Sequence, residues 1–228
     1  MRRLCAALVL AVGIWALAGC GERGQTDVWR QKLILEVETP SGIVTGGSVV
    51  EVSVRWFSGM EKIASSNAVS QRSRGEASFV EVAPGKYLFA LSVNEPLERT
   101  LLTFGKGAGD YRQVTAALAD LRESRTLSPG QYPDLVTFGD VNDPKTVKLV
   151  DQNDLAASFG PGFGLRGMRL EIIGEGGPEG AVEKVLGWWC NYQKDNRRLS
   201  GSNDIAIKNN ELANILAAGS FKIGECAK

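Results

Sequence analysis

The 228-residue sequence predicts an α+β fold: a β-rich N-terminal antiparallel unit over residues 29–96, then a mixed α+β unit over 97–228 with two or three short helices, the two standing apart or forming one continuous domain. Three observations carry this. Apolar residues alternate with a period of two early in the chain, as half-buried strands require, and helical spacing enters only later. Glycine (27) and proline (8) make up roughly 15% of the chain, enough for many turns but below low-complexity levels. Hydrophobic residues at 43% and charged residues at 23% are the composition of a folded body.

The elements follow in order. Leu33, Leu35 and Val37 predict a strand over Lys32–Glu38, and Val50, Val52, Val54 and Trp56 a second over Val50–Trp56. Thr39-Pro40-Ser41-Gly42 and Gly46-Gly47 between them carry turn chemistry, Pro fixing φ and Gly supplying positive φ. Ser58–Arg74 is polar and mixed, a loop or a short helix. Ala77–Val82 and Lys86–Val93 flank Ala83-Pro84-Gly85 and read as a hairpin. The character shifts at Asn94-Glu95-Pro96. Asp110 then caps a helix with Tyr111, Val114, Leu118 and Leu121 on one face. After the breakers Ser128-Pro129-Gly130 and Pro133, Leu135–Phe138 reads as a strand. Asp151 or Asn153 caps a short helix over Asp154–Phe159, Leu165–Ile173 is a strand, and Asn210 precedes a short helix at Leu212–Leu216 that Gly219 stops.

Composition removes whole function classes. Histidine is absent, so Ser-His-Asp and Cys-His catalysis, His-ligated zinc and His-ligated haem are excluded. Lys plus Arg (26) equal Asp plus Glu (26), with no basic stripe to attract nucleic acid. No Ser-x-x-Lys tetrad occurs.

At the N-terminus, Arg2-Arg3 precede the apolar run Leu4–Gly19, which Leu17-Ala18-Gly19-Cys20 closes. As a helix the run spans about 24 Å, short of a bilayer core of about 30 Å, so residues 1–19 read as a signal peptide and not a permanent span. The tetrapeptide resembles the lipobox of bacterial lipoproteins. That resemblance implies acylation of the Cys20 thiol, cleavage before it, and anchorage in membrane lipid by a diacylglyceryl thioether with an N-acyl chain. Gly21 stands where the family's inner-membrane signal has Asp, which implies the periplasmic face of an outer membrane. Loss of Arg2 and Arg3 with the leader leaves a formal charge of −2. Cys20–Val28 forms a tether of at most about 30 Å. The stretches Asp140–Val147, Asp154–Gly162 and Val182–Trp188 resemble segments of uncharacterised proteobacterial proteins, which implies a bacterial source and imports no function.

Cys5 lies in the leader and Cys20 is taken by lipid, so in an oxidising periplasm Cys190 and Cys226 are predicted to form a disulfide. The bridge would tie the tail after Leu212–Leu216 to the Trp188-Trp189 segment. Trp188 and Trp189 are either a stacking platform for a ligand or partner, or one ring in the core and one against the bridge. Asp140-Val141-Asn142-Asp143 and Asp151-Gln152-Asn153-Asp154 repeat one string; their oxygens cap turns and helices or hold a hard cation. Gly162-Phe163-Gly164-Leu165-Arg166-Gly167 matches a dinucleotide-binding string but precedes a strand, the wrong context, and Gly105-Lys106-Gly107-Ala108-Gly109 lacks the end of a phosphate loop. Glu171, Glu175, Glu179 and Glu183 are the carboxylates available to a cell-wall glycosidase, which needs two roughly 5–9 Å apart.

Together these readings predict a non-enzymatic envelope lipoprotein without a cofactor, acting as a binding or structural module. The alternatives are an accessory or exclusion factor that binds another envelope protein, and a carboxylate-based cell-wall hydrolase.

Overall fold

The structure, a computed structural model, describes residues 24–59, 69–91, 95–105, 110–177, 180–195, 197–202 and 211–226. The chain divides into two compact units. One comprises Met1–Thr26 and Arg55–Ser70; among its described residues the Arg55 guanidinium lies 5.6 Å from the Phe57 ring centre. The other, Asp27–Val54 with Gln71–Lys228, holds both hydrophobic cores.

The strands are β1 (Gln25–Thr39), β2 (Gly42–Trp56), β3 (Val69–Glu76), β4 (Ser78–Ala83), β5 (Lys86–Ala90), β6 (Ser124–Thr126), β7 (Leu135–Phe138), β8 (Val147–Val150), β9 (Gly164–Ile173) and β10 (Lys222–Ile223). The helices are α1 (Pro96–Phe104), α2 (Tyr111–Leu118), α3 (Ala156–Phe159), α4 (Ala181–Val185), α5 (Trp189–Lys194) and α6 (Leu212–Ile215). The strands form two antiparallel sheets, one ordered β10-β3-β2-β1-β9-β6 and the other β4-β5-β7-β8. Each sheet takes strands from both sides of Pro96. The fold is β-rich and compatible with the α+β class, with six short helices among the described residues where two or three were expected.

β1 shows how the strand period builds the layers. Its odd-numbered residues from Asp27 to Thr39 are all buried, yet their chemistry changes halfway. Leu33, Leu35 and Val37 meet Val80, Val82, Leu88 and Ala90 of the second sheet in an apolar core that Met168 and Leu170 of β9 complete. Asp27, Trp29 and Gln31 instead join a polar network with α1 and α2. Thr115 donates to Asp27 Oδ2 at 2.6 Å, Gln31 Nε2 to the Pro96 carbonyl at 3.1 Å, and Trp29 Nε1 to Gln31 Oε1 at 2.8 Å. Buried polar groups are tolerable because they are paired. β1 therefore takes in Gln25–Val28, four of the nine residues expected to serve as tether.

Strands β5 and β7 of the second sheet are buried on both faces. Phe89, Val136 and Val147 turn away from the first core to meet Val182, Leu186, Trp189, Leu199 and Phe221 of the C-terminal segment, a third layer. Burial of one such side chain is worth about 1.5–3 kcal/mol.

Several expectations are corrected. Gly46 and Gly47 are not a turn but lie inside β2, because a Cβ on Gly46 would come 2.1 Å from the Phe79 carbonyl and one on Gly47 2.4 Å from that of Leu33. They are glycine so that backbones can close up. There the two sheets are stitched by Ser78, whose hydroxyl donates to the Leu33 carbonyl at 2.7 Å and accepts from the Ser48 N–H at 3.0 Å. The turn itself is Pro40-Ser41, with Gly42 at φ 119°. Within Ser58–Arg74, Val69–Arg74 is strand; residues 60–68 lie outside the described residues. The hairpin at Ala83-Pro84-Gly85 forms as expected, but β5 ends at Ala90, and Val93 lies outside the described residues. Asp154, not Asp151 or Asn153, caps α3, its Oδ1 accepting from Ala157 N at 3.1 Å. Gly219 sits within a 3-10 turn after α6 and does not stop that helix, which ends where Leu216 becomes extended; Asn210 is not described.

Candidate functional site

Cys20 and the rest of the lipobox lie outside the described residues. Of the other thiols, α5 carries Cys190 and the segment after β10 carries Cys226, and their Cα atoms stand 5.7 Å apart. That separation is compatible with a disulfide. Both thiols pack against the second core.

Trp189 is 0% exposed, with its indole N–H donated to the Ala218 carbonyl at 2.8 Å, so it has no face for a ligand. Trp188 is half-buried. Its N–H goes to the Val141 carbonyl at 3.0 Å and its ring meets those of Tyr192 and Phe138 at 5.3 and 5.9 Å. The pair wedges between the C-terminal layer and the second sheet, Trp189 fully buried and Trp188 half-buried.

The two Asp-x-Asn-Asp strings adopt the same local fold. Asp140 Oδ1 accepts from the N–H and side-chain amide of Asn142 at 2.9 and 3.2 Å, and Asp151 Oδ1 from those of Asn153 at 2.8 and 3.2 Å. Asp143 Oδ1 caps the Pro144–Thr146 turn through Lys145 N at 3.0 Å. These oxygens hold turns, as Asp and Asn do when their side chains mimic backbone acceptors. Among the described residues no group of His, Cys, Asp or Glu is arranged to hold a metal.

Of the four glutamates, Glu171 and Glu183 have different ion-pair partners among the described residues. Glu171 lies on β9 with Arg169 Nε at 3.0 Å, Glu175 sits in the loop after β9, and Glu179 is not described. Glu183 on α4 contacts Lys222 Nζ, which also faces Glu76 Oε1 at 3.4 Å. The second oxygen of Glu76 accepts from Ala181 and Val182 N–H at 2.9 and 3.4 Å. Lys222 Nζ lies 5.1 Å from the centre of the Trp189 ring. Sequence reasoning missed this Glu76–Lys222–Glu183 set, because its members come from three distant stretches of the chain.

Two concavities stand out among the described residues. A cleft of about 330 Å³ is lined by Arg99, Glu95 and Glu98 of the α1 region, by Gln131–Asp134, and by Leu91, Leu102 and Leu216. Burial lowers the Arg99 pKa, while Glu95, Glu98 and Asp134 act in the opposite direction; Arg99 Nη1 donates to the Gln131 carbonyl at 2.7 Å. Gly105 ends α1, its N–H bonded to the Leu101 carbonyl at 2.8 Å, and residues 106–109 are not described.

The other is a groove of about 410 Å³ at one end of the sheets, where Pro40 and Val44 of the β1–β2 hairpin, Val82 and Pro84 of the β4–β5 hairpin, and Phe163 converge. Thr39, Ser41 and Glu81 supply polar atoms around this apolar lining. The Gly162–Gly167 string has its use here. Gly162 adopts φ +86°, and a Cβ on it would meet Pro40 Cγ at 3.1 Å, so glycine lets the loop bring Phe163 beside the hairpin tip. The ring is held 5.8 Å from that of Phe159. Glu81 Oε1 accepts from Gly85 N at 2.9 Å, and Tyr87 nearby is raised above its ordinary pKa by burial first and the Glu81 charge second.

No family model, no curated protein and no solved structure matches the chain.

Proposed function

We propose that the protein is an envelope lipoprotein, held through an acylated Cys20 at the periplasmic face of an outer membrane, and that it binds a partner without transforming it. The observation that carries this reading is the Leu17-Ala18-Gly19-Cys20 lipobox, five residues ahead of the first residue of β1. A tether of Cys20–Gly24 reaches at most about 17 Å, which would keep the body near the lipid surface. Two further features support it. The closely placed Cys190 and Cys226 suit an oxidising compartment. Of the four carboxylates available to a cell-wall hydrolase, Glu171 is paired with Arg169 and Glu183 with Lys222.

The test is Cys20→Ala in the native cell. Loss of palmitate labelling, accumulation of uncleaved precursor and release from the membrane fraction are expected. Normal maturation with unchanged membrane association would overturn the reading. The accessory-factor alternative is favoured by one observation, the open apolar groove at the hairpin tips. A lysis band on a peptidoglycan zymogram would favour the hydrolase instead.

A further inference from the structure

We infer that the groove between the β1–β2 tip, the β4–β5 tip and Phe163 is a docking site for an extended segment of a water-side partner protein, which inserts one large apolar side chain and carries a basic residue beside it. This rests on the anchoring of Cys20. The chain leaves toward Cys20 from the N-terminal end of β1, whereas the groove is built at the other end of that strand. From Asp27 to Thr39 an extended strand covers about 40 Å at roughly 3.3 Å per residue. The groove thus lies at the end of β1 that is farther along the chain from Cys20.

The lining selects the occupant. Pro40, Val44, Val82, Pro84 and Phe163 make an apolar floor, and Thr39, Ser41 and Glu81 a polar edge, the arrangement of a protein interface with an apolar centre and a polar rim. One lining residue is a carboxylate, Glu81, and none is Lys or Arg. A fatty-acid carboxylate or an anionic headgroup would meet like charge; a basic side chain would meet its complement. Pro40 and Pro84 stiffen the two tips, and the required glycine at 162 sets Phe163 in place, so little ordering entropy opposes docking.

The test uses the full lipidated chain in vesicles of phosphatidylethanolamine and phosphatidylglycerol, with a bimane on Ser41→Cys and fluorescein-labelled synthetic octapeptides as probes. A peptide with a central Trp flanked by Lys is expected to bind at least tenfold tighter than the same peptide with a central Ala or with Glu flanks. Glu81→Gln, which keeps an acceptor for the Gly85 N–H while removing the charge, and Phe163→Ala should each weaken it about tenfold, while Leu102→Asp in the Arg99 cleft should not. Iodide should quench the bimane and brominated acyl chains should not. Equal binding of all three peptides, indifference to both groove variants, or quenching by brominated lipid would each overturn the docking site. Flotation of the same vesicles separates the two readings: a floating chain that does not discriminate between peptides defeats docking alone, and a discriminating chain that does not float defeats anchoring alone.

Discussion

Replacing Lys222 by Met removes the cation between two buried carboxylates. The Lys222 side chain is 8% exposed and those of Glu76 and Glu183 are 0% and 11% exposed. Glu76 keeps its two N–H donors from α4 but loses the ammonium 3.4 Å from its other oxygen. At an effective dielectric constant of about 20, one such contact is worth roughly 5 kcal/mol before desolvation. Breaking a buried pair from one side costs about 3–5 kcal/mol. For a chain of this size that is a fall in Tm of about 6–20 °C. Urea denaturation followed by near-ultraviolet circular dichroism measures it. Pairing the change with Glu76→Gln should recover at least half of the loss, because the amide oxygen still accepts from α4 while the uncompensated charge is gone. A loss below about 1 kcal/mol in the single variant would refute the reasoning.

Replacing Cys190 and Cys226 together by Ser should cost about 3–4 kcal/mol, the chain-entropy value for the loop they close, and non-reducing peptide mapping should recover them linked; two alkylatable thiols would contradict this. Gly46→Ala, whose methyl would strike the Phe79 carbonyl, should destabilise by about 3 kcal/mol in the same urea assay, whereas Gly130→Ala, in open space, should change little. Tyr87 should ionise above its ordinary pKa of 10.0 in an ultraviolet titration, and Glu81→Gln should bring it partway down. The raised pKa favours the neutral phenol in the folded chain, so its small contribution is present below pH 10 and disappears as pH rises through the folded-state value.

Where an element carries a clear apolar pattern between turn residues, or a capping side chain, the sequence was enough. The alternation of Leu33, Leu35 and Val37 marked β1, Leu135–Phe138 was recovered residue for residue as β7, and Asp110 caps α2 as predicted, accepting from Arg112 N at 2.9 Å. β3 was missed because Val69–Arg74 is polar and largely exposed, leaving no period to read. Asp27 and Gln31 concealed the first half of β1 for the opposite reason: they are buried polar residues whose partners lie in helices 65–88 positions away. Gly46-Gly47 misled because tight turns and close backbone approach both demand glycine, and only the tertiary neighbour decides between them. The closeness of Cys190 and Cys226 was legible from thiol arithmetic. The groove was not, since it joins three loops whose nearness is set by strand pairing; Phe163 could be seen only as part of a glycine-rich loop.

Mass spectrometry of the N-terminal tryptic peptide from the membrane fraction is the most direct test of the central claim. Lipid anchoring predicts a peptide that begins at Cys20, ends at Arg23, and carries a diacylglyceryl thioether with an acylated amine. A chain from the same fraction that begins at Met1, or that begins beyond Cys20 without lipid, would contradict it.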